Sequence, residues 1–575
     1  MDRVRTRYYS FVATETGKHL RPWAVKLKRT WFAMQISHRG KYSIERMIAL
    51  NEYTRTASIL RVLFVCVTTP MPMIVLVLLV EMIPLQDPSD GWQANYGIWI
   101  RTALQAGVVA LAAADQARHL LHGVRFSVFQ LLALFVSIAV NYTGAAIAVA
   151  ASLGFPIPFM AITMSTAFFT VLIASFRIVA GKRVFREILA QRNQLYTFIG
   201  FLAAQMLLLL VYPFYQVLFQ AASDNVEYEL AVLLLLPLIK SAMKNLVSLT
   251  IARMEDLVPE AVIFTVDFFN AVYLATSMQS ATSSITIATI MAVDVIQTAI
   301  ALQDLYRRTD NVLERLQEVT GIPSTHKSVL DNALALCQRT DTFTQQKRTY
   351  IRLASCLPHE LSASSRALLY QLQQHPGNSH GLPIPSGAST DVPPRVRISR
   401  ALRSLPSKIK STCSSTSSIH PAVSVMPVPP SSLSEPLSEV LSETLRLLFT
   451  TECLVLSEYL ESVMPFLYGG FMLAMVQLPN AQFHSELEGV DVHNVQRRVQ
   501  SIFVYAALEL LSMAALVLLL HQRGGFRALH QVAFALETQR SLVQGKLLLW
   551  MLMAMGFRVV HFGADFTFNF KWLHQ

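Results

Sequence analysis

Charge is scarce in this sequence. Only 15% of its 575 residues are Asp, Glu, Lys or Arg, whereas soluble proteins carry about 25%. Hydrophobic residues make up 53%, more than the core of a water-solvated protein of this size absorbs. Cysteine is sparse too: Cys66, Cys337, Cys356, Cys413 and Cys453 form no CxxC pair and show no ligand spacing. That argues against a disulfide framework and against a zinc site. GxxxxGK[ST], GxGxxG after a strand, HExxH and GxSxG are all missing, so neither catalytic residues nor a cofactor is expected. The first 56 residues lack an apolar core, and hence a cleavable signal peptide.

The apolar residues that are present fall into blocks. About 20 of them in succession cross roughly 30 Å of hydrocarbon. Eleven stretches approach that length: 62–83, 98–114, 126–151, 157–179, 196–219, 230–251, 261–278, 285–302, 463–478, 502–520 and 547–562. Several are short or interrupted, so the reading is an all-α polytopic transmembrane bundle of nine to eleven spans. Continuous apolarity without alternation selects helices over a barrel.

The connectors test this independently. Residues 1–56 hold twelve Lys/Arg against four Asp/Glu. Residues 84–97 carry Asp87 and Asp90 and no base, and 115–125 carry Arg118 and Arg125. The stretch near Gly154 is uncharged, 180–195 is basic, and 220–229 is acidic. The sides alternate as retention of positive charge in the cytosol requires. The net charge of +11 is therefore read as topology, and no nucleic-acid partner is expected. The expected partner is the lipid bilayer, with the N-terminus cytosolic.

Five regions follow: a basic cytosolic region (1–56), an eight-helix bundle (57–303), a cytosolic helical segment (304–375), a Pro/Ser-rich linker expected to be disordered (376–440), and a C-terminal three-helix part (441–575). Trp23, Trp31 and Phe32 among basic residues suit either an interfacial helix or an ordinary cytosolic flank.

Two stretches carry a resemblance. Ser37-His-Arg-Gly-Lys-Tyr-Ser-Ile-Glu-Arg46, and Glu255-Asp-Leu-Val-Pro-Glu-Ala-Val-Ile-Phe-Thr-Val-Asp-Phe-Phe-Asn270 continuing to Met291-Ala-Val-Asp294, resemble an expanded family of uncharacterised multi-pass membrane proteins of oomycetes. The resemblance implies the multi-pass layout and no particular activity.

Charges inside spans are costly and mark function or structural pairing. Asp267 lies six residues from Ala261 and Asp294 eight from Leu302, which places them within about 3 Å in depth on adjacent antiparallel helices. Asn270 and Gln297 follow each by three residues, on the same helical face. One reading is a cation or proton site on a hydrated pathway. The other is structural, with Lys240 and Lys244 of the preceding helix pairing with the aspartates. Glu509 and Arg558 are expected to form an interhelical salt bridge, and Arg61 and Arg101 to snorkel to the interface.

Glu452, Glu458 and Glu461 read as a solvated helix face. Thr68-Thr69-Pro70-Met71-Pro72, Pro213 and Pro237 interrupt spans, as helices do at some transport sites. His561 and Asp565 read as interfacial, the Asn141-Tyr142-Thr143 sequon as chance, and Arg400-Ala-Leu-Arg403-Ser404 as a kinase-compatible match in the linker. Together these point to a transporter or channel for a small ion or solute. The alternative is a receptor or scaffold that docks cytosolic proteins on its N-terminal region and on 303–447.

Overall fold

The computed structural model describes residues 40–564 except 122, 223–224, 253, 282, 321–328, 339–350, 358 and 375–433. Its main helices are α1 (Ile44–Thr56), α2 (Ile59–Glu81), α3 (Tyr96–Leu120), α4 (Val128–Leu153), α5 (Ser165–Ala190), α6 (Arg192–Ala222), α7 (Val226–Thr250) and α8 (Glu255–Ser280). They continue with α9 (Ser284–Thr320), α10 (Val329–Gln338), α11 (Ala363–Gln374), α12 (Ser434–Met475), α13 (Val495–Gly524), α14 (Ala528–Thr538) and α15 (Arg540–Met555).

Local chemistry sets the boundaries. Ser43 caps α1 by accepting from the Arg46 amide at 3.2 Å, and Ser127 and Gln130 form a reciprocal capping box at the start of α4. Pro70 and Pro72 divide α2, because proline supplies no amide to the preceding turn. Gly181, at φ 85°, breaks α5.

Among the described residues, eight helices are long and apolar enough to cross a bilayer: α2, α3, α4, α6, α7, α8, α9 and α13. The fold is the expected all-α bundle. The other three blocks are helical but differ in form. Block 157–179 falls in a turn and in α5, which Gly181 interrupts. Block 463–478 is the end of the 42-residue α12. Block 547–562 is α15, which has 16 residues and stops at Met555.

The expected division into regions changes in three places. No break falls at 303/304, since α9 runs for 37 residues, roughly 55 Å and well beyond the hydrocarbon. The helix α12 begins at Ser434, inside the expected linker. The three C-terminal helices are not a separate part: α12 packs on α8, α9 and α13, and α15 packs on α2, α3 and α8. Residues 375–433, which hold Arg403 and Ser404, lie outside the described residues, as do Trp23, Trp31, Phe32 and Asp565.

Helix α8 is the axis of the assembly. Every residue of its most apolar stretch is buried within the protein, including Phe264, Phe268 and Phe269. The described end of the basic N-terminal region is not a solvated flank either. Tyr42, Ile44, Met47 and Ile48 are buried in the same core as α8.

Candidate intramembrane carboxylate site

The two segments on which the resemblance rests meet in space. The Ser43 amide donates to Asp256 Oδ1 at 3.0 Å, and Arg46 Nη1 donates to the Asp256 carbonyl at 2.6 Å. Arg46 Nη2 pairs with Glu260 of α8 and, at 2.7 Å, with Glu452 of α12. All three side chains are fully buried. Tyr42 donates to Glu452, and Gln539 to Glu260 at 2.8 Å.

Residues 351–355 complete this cap. Arg352 pairs with Asp256 at 3.0 Å, and the Ser355 hydroxyl donates to Asp256 Oδ2 at 2.9 Å. Burial raises the Glu45 carboxyl above its ordinary range despite a bond from the Ser355 amide. His359 stacks on Phe534 with ring centroids 5.7 Å apart. Burial first, then the Arg46 cation, pushes this imidazole down to about 4.

Deeper along α8, residues Ile263–Asp267 form a π-helical turn. Such a turn adds a residue and frees a carbonyl. The Thr265 hydroxyl donates to the Ala261 carbonyl at 2.7 Å. Lys546 Nζ of α15 donates to the same carbonyl and to Thr265 Oγ1, both at 2.8 Å. Lys546 is 1% exposed and lies over the Phe201 ring at 4.9 Å.

The turn also sets the direction of Asp267. It pairs with Lys244 of α7 at 2.7 Å, while Ser457 of α12 donates to its other oxygen at 2.5 Å. Lys240, one turn earlier, pairs with Glu461 of α12. The structural Lys–Asp contact expected from the sequence is thus present for Lys244, whereas Lys240 goes to Glu461.

Asp294 of α9 turns elsewhere and lies beside Glu509 of α13. Equal depth did not bring the two aspartates to one partner, because depth leaves the azimuth around each helix unspecified. Glu458 of α12 accepts from Thr298 at 3.2 Å and from Ser512 of α13 at 2.9 Å. Asp294, Glu458 and Glu509 therefore converge from three mutually packed helices.

A cavity of about 170 Å³ adjoins them, lined by Lys240, Lys244, Asp294, Gln297, Glu458 and Glu461 among others. Asn270 lines a smaller neighbouring cavity with Lys240, Asp294 and Gln297. With both lysines paired to Asp267 and Glu461, Asp294, Glu458 and Glu509 form no direct ion pair among the described residues, although Lys240 acts on Asp294 at longer range. Among those residues, no group of three His, Cys, Asp or Glu is placed to hold a metal ion.

Four expectations need correction. Glu452, Glu458 and Glu461 are buried, not solvated. The reading that scored each charge as water-facing could not see that α12 lies inside protein. Glu509 and Arg558 do not pair. Since α15 ends at Met555, Arg558 lies beyond the helix on which its depth was counted, and it binds Glu486 at 2.6 Å. Arg101 does not snorkel but is buried against Glu81 at 2.6 Å, with His484 at 3.0 Å from the same carboxyl oxygen. His561 is buried, within hydrogen-bonding distance of the Gln86 carbonyl (2.7 Å) and Asn95 (3.1 Å). Arg61, by contrast, is exposed and pairs with Glu537.

Comparison with protein-family models, with curated proteins and with solved structures finds no match.

Proposed function

We propose that this multi-pass membrane protein is a transporter that binds and releases protons at Asp294, Glu458 and Glu509. The observation that carries the reading is the surplus of acid. Four buried carboxyls (Asp267, Glu458, Glu461, Glu509) and the half-buried Asp294 gather near two lysines within a bundle of apolar helices. Glu458 and Glu509, buried without an ion-pair partner among the described residues and with a third acid beside them, are too costly to ionise together, so the group holds protons or meets a cation. Asp294 and Glu509 are neighbours, and adjacent carboxylates resist being ionised together, so the pair retains a proton. The cavity beside Asp294 supplies a path by which that proton can be exchanged.

Interrupted helices around the site support movement. Helix α8 contains the π turn, Pro237 lies in α7, and Pro465 lies inside α12. The basic connectors 115–125 and 180–195 set the proposed orientation, with α1 on the cytosolic face. A docking scaffold fits less well, because Ser43 and Arg46 of the N-terminal region are engaged with Asp256, Glu260 and Glu452 and not presented to a partner.

The full-length chain in liposomes containing a pH-sensitive dye provides the test. Under an imposed pH gradient, Asp294→Asn and Glu509→Gln are each expected to lower proton flux at least tenfold. Flux in either variant equal to that of the wild type, or no flux through the wild type, would overturn the assignment.

A further inference from the structure

Resting on that reading, we propose that the cavity takes the head of an amphipathic organic ammonium compound, which enters sideways from the bilayer between α7 and α9. The geometry comes first. The two helices meet near the start of α9, where Thr286 donates to Glu229 of α7 at 2.8 Å, a buried contact. Further along they pack less closely, and both line the cavity, α7 with Lys240, Ser241 and Lys244 and α9 with Asp294, Gln297 and Ala301.

The outer faces of the two helices are apolar: Leu238 of α7 is 56% exposed, and Ile296 of α9 is 58% exposed. Residues of that kind on spanning helices face lipid tails. Asp294 is ten residues into α9, or roughly 15 Å along the axis, near the middle of a 30 Å hydrocarbon layer. The mouth thus opens at a depth where water-soluble compounds are dilute and amphiphiles are concentrated.

The chemistry of the occupant follows from what surrounds it. Lys240 and Lys244 are neutralised by Glu461 and Asp267, so the charge left over is that of Asp294, Glu458 and Glu509. This favours a cation. The described carboxyls do not form a metal-binding group, whereas an ammonium needs only acceptors at hydrogen-bond distance, and Asp294, Gln297 and Glu458 offer them. Size excludes a whole lipid. A volume of about 170 Å³ is close to the ~150 Å³ that holds benzene, so the head enters while an alkyl tail stays among the lipids. A bound ammonium would also take over the charge neutralisation that a proton otherwise supplies, which couples the two cations at one site.

The test uses the full chain in nanodiscs, with empty nanodiscs subtracted and radiolabelled dodecylamine as the probe. Saturable binding is expected, with an apparent affinity at least 100-fold above that of methylamine. Asp294→Asn and Ala301→Trp, the second narrowing the mouth, should each weaken it at least tenfold, with size-exclusion profiles confirming that both variants fold. Displacement by added phosphatidylethanolamine would identify a lipid headgroup as the source of the ammonium; no displacement would identify a free amine. Equal affinity for methylamine, or unchanged binding in both variants, would overturn entry from the bilayer. If the wild type bound no amine while Asp294-dependent proton flux persisted, the ammonium proposal would fall and the transporter reading would stand. Loss of both would end both.

Discussion

At the scale of the residue, Arg46 shows how a buried charge holds this protein together. Its guanidinium reaches Glu260, Glu452 and the Asp256 carbonyl from a side chain with no solvent exposure. Removing one member of such a cluster leaves uncompensated charge in a dry interior, at a cost of about 3–5 kcal/mol. Arg46→Met is expected to lower stability by that amount in a detergent melt, and adding Glu260→Gln and Glu452→Gln should recover part of it. A loss below about 1 kcal/mol would mean that the cluster does not secure the cap.

His359 gives a pH signature. Its folded value, about 4 against an ordinary 6.5, means that the unfolded chain binds the proton more tightly. The stability it contributes is complete above pH 6.5, falls as the pH drops to about 4, and changes no further below that. The loss is at most about 3 kcal/mol. Melts of His359→Phe and wild type should differ in slope over that window alone; parallel profiles would refute the assignment. Neither role was legible in the chain. Arg46 looks like one more cytosolic base and Glu452 like a solvated acid, because a one-dimensional reading cannot see charges more than 400 positions apart cancel each other.

At the scale of the element, apolar blocks were enough to find the spanning helices. They could not tell which helix is central, since α8 resembles its neighbours in apolarity and differs only in being enclosed by them. The π turn was equally hidden: Ile263-Phe-Thr-Val-Asp267 is an ordinary apolar run until Lys546 arrives from α15. Thr265 both receives from Lys546 and donates to the Ala261 carbonyl. Thr265→Val keeps the shape and deletes both bonds, leaving a buried cation short of an acceptor, so a loss of about 1–3 kcal/mol is expected. Thr265→Ser should retain most of the stability. In a double-mutant cycle, Lys546→Met should absorb much of the Thr265→Val cost, because the stranded donor is then gone. Additive effects would show that the lysine and the turn are independent.

At the scale of the whole molecule, the alternation of acidic and basic connectors predicts a topology that labelling can check. With native cysteines replaced, Asp90→Cys should react with an impermeant maleimide from outside intact cells, and Arg183→Cys only after permeabilisation. Reaction of both from the same side would overturn the arrangement. What the connectors could not reveal is that the last helices close around the first ones, a fact carried by long-range pairs such as Arg46–Glu452 and Lys240–Glu461.

That closure has a consequence for synthesis. The acids of α8 find several of their partners only in later parts of the chain: Ser457 for Asp267, Gln539 for Glu260, and Arg352 for Asp256. Between the emergence of Ser280 and that of Glu461 the ribosome adds roughly 180 residues, an interval of about 10–40 s. For that time the future axis of the protein waits in the membrane with its ionisable groups only partly matched. A nascent chain in this state invites either a protective companion at the site of insertion or early destruction.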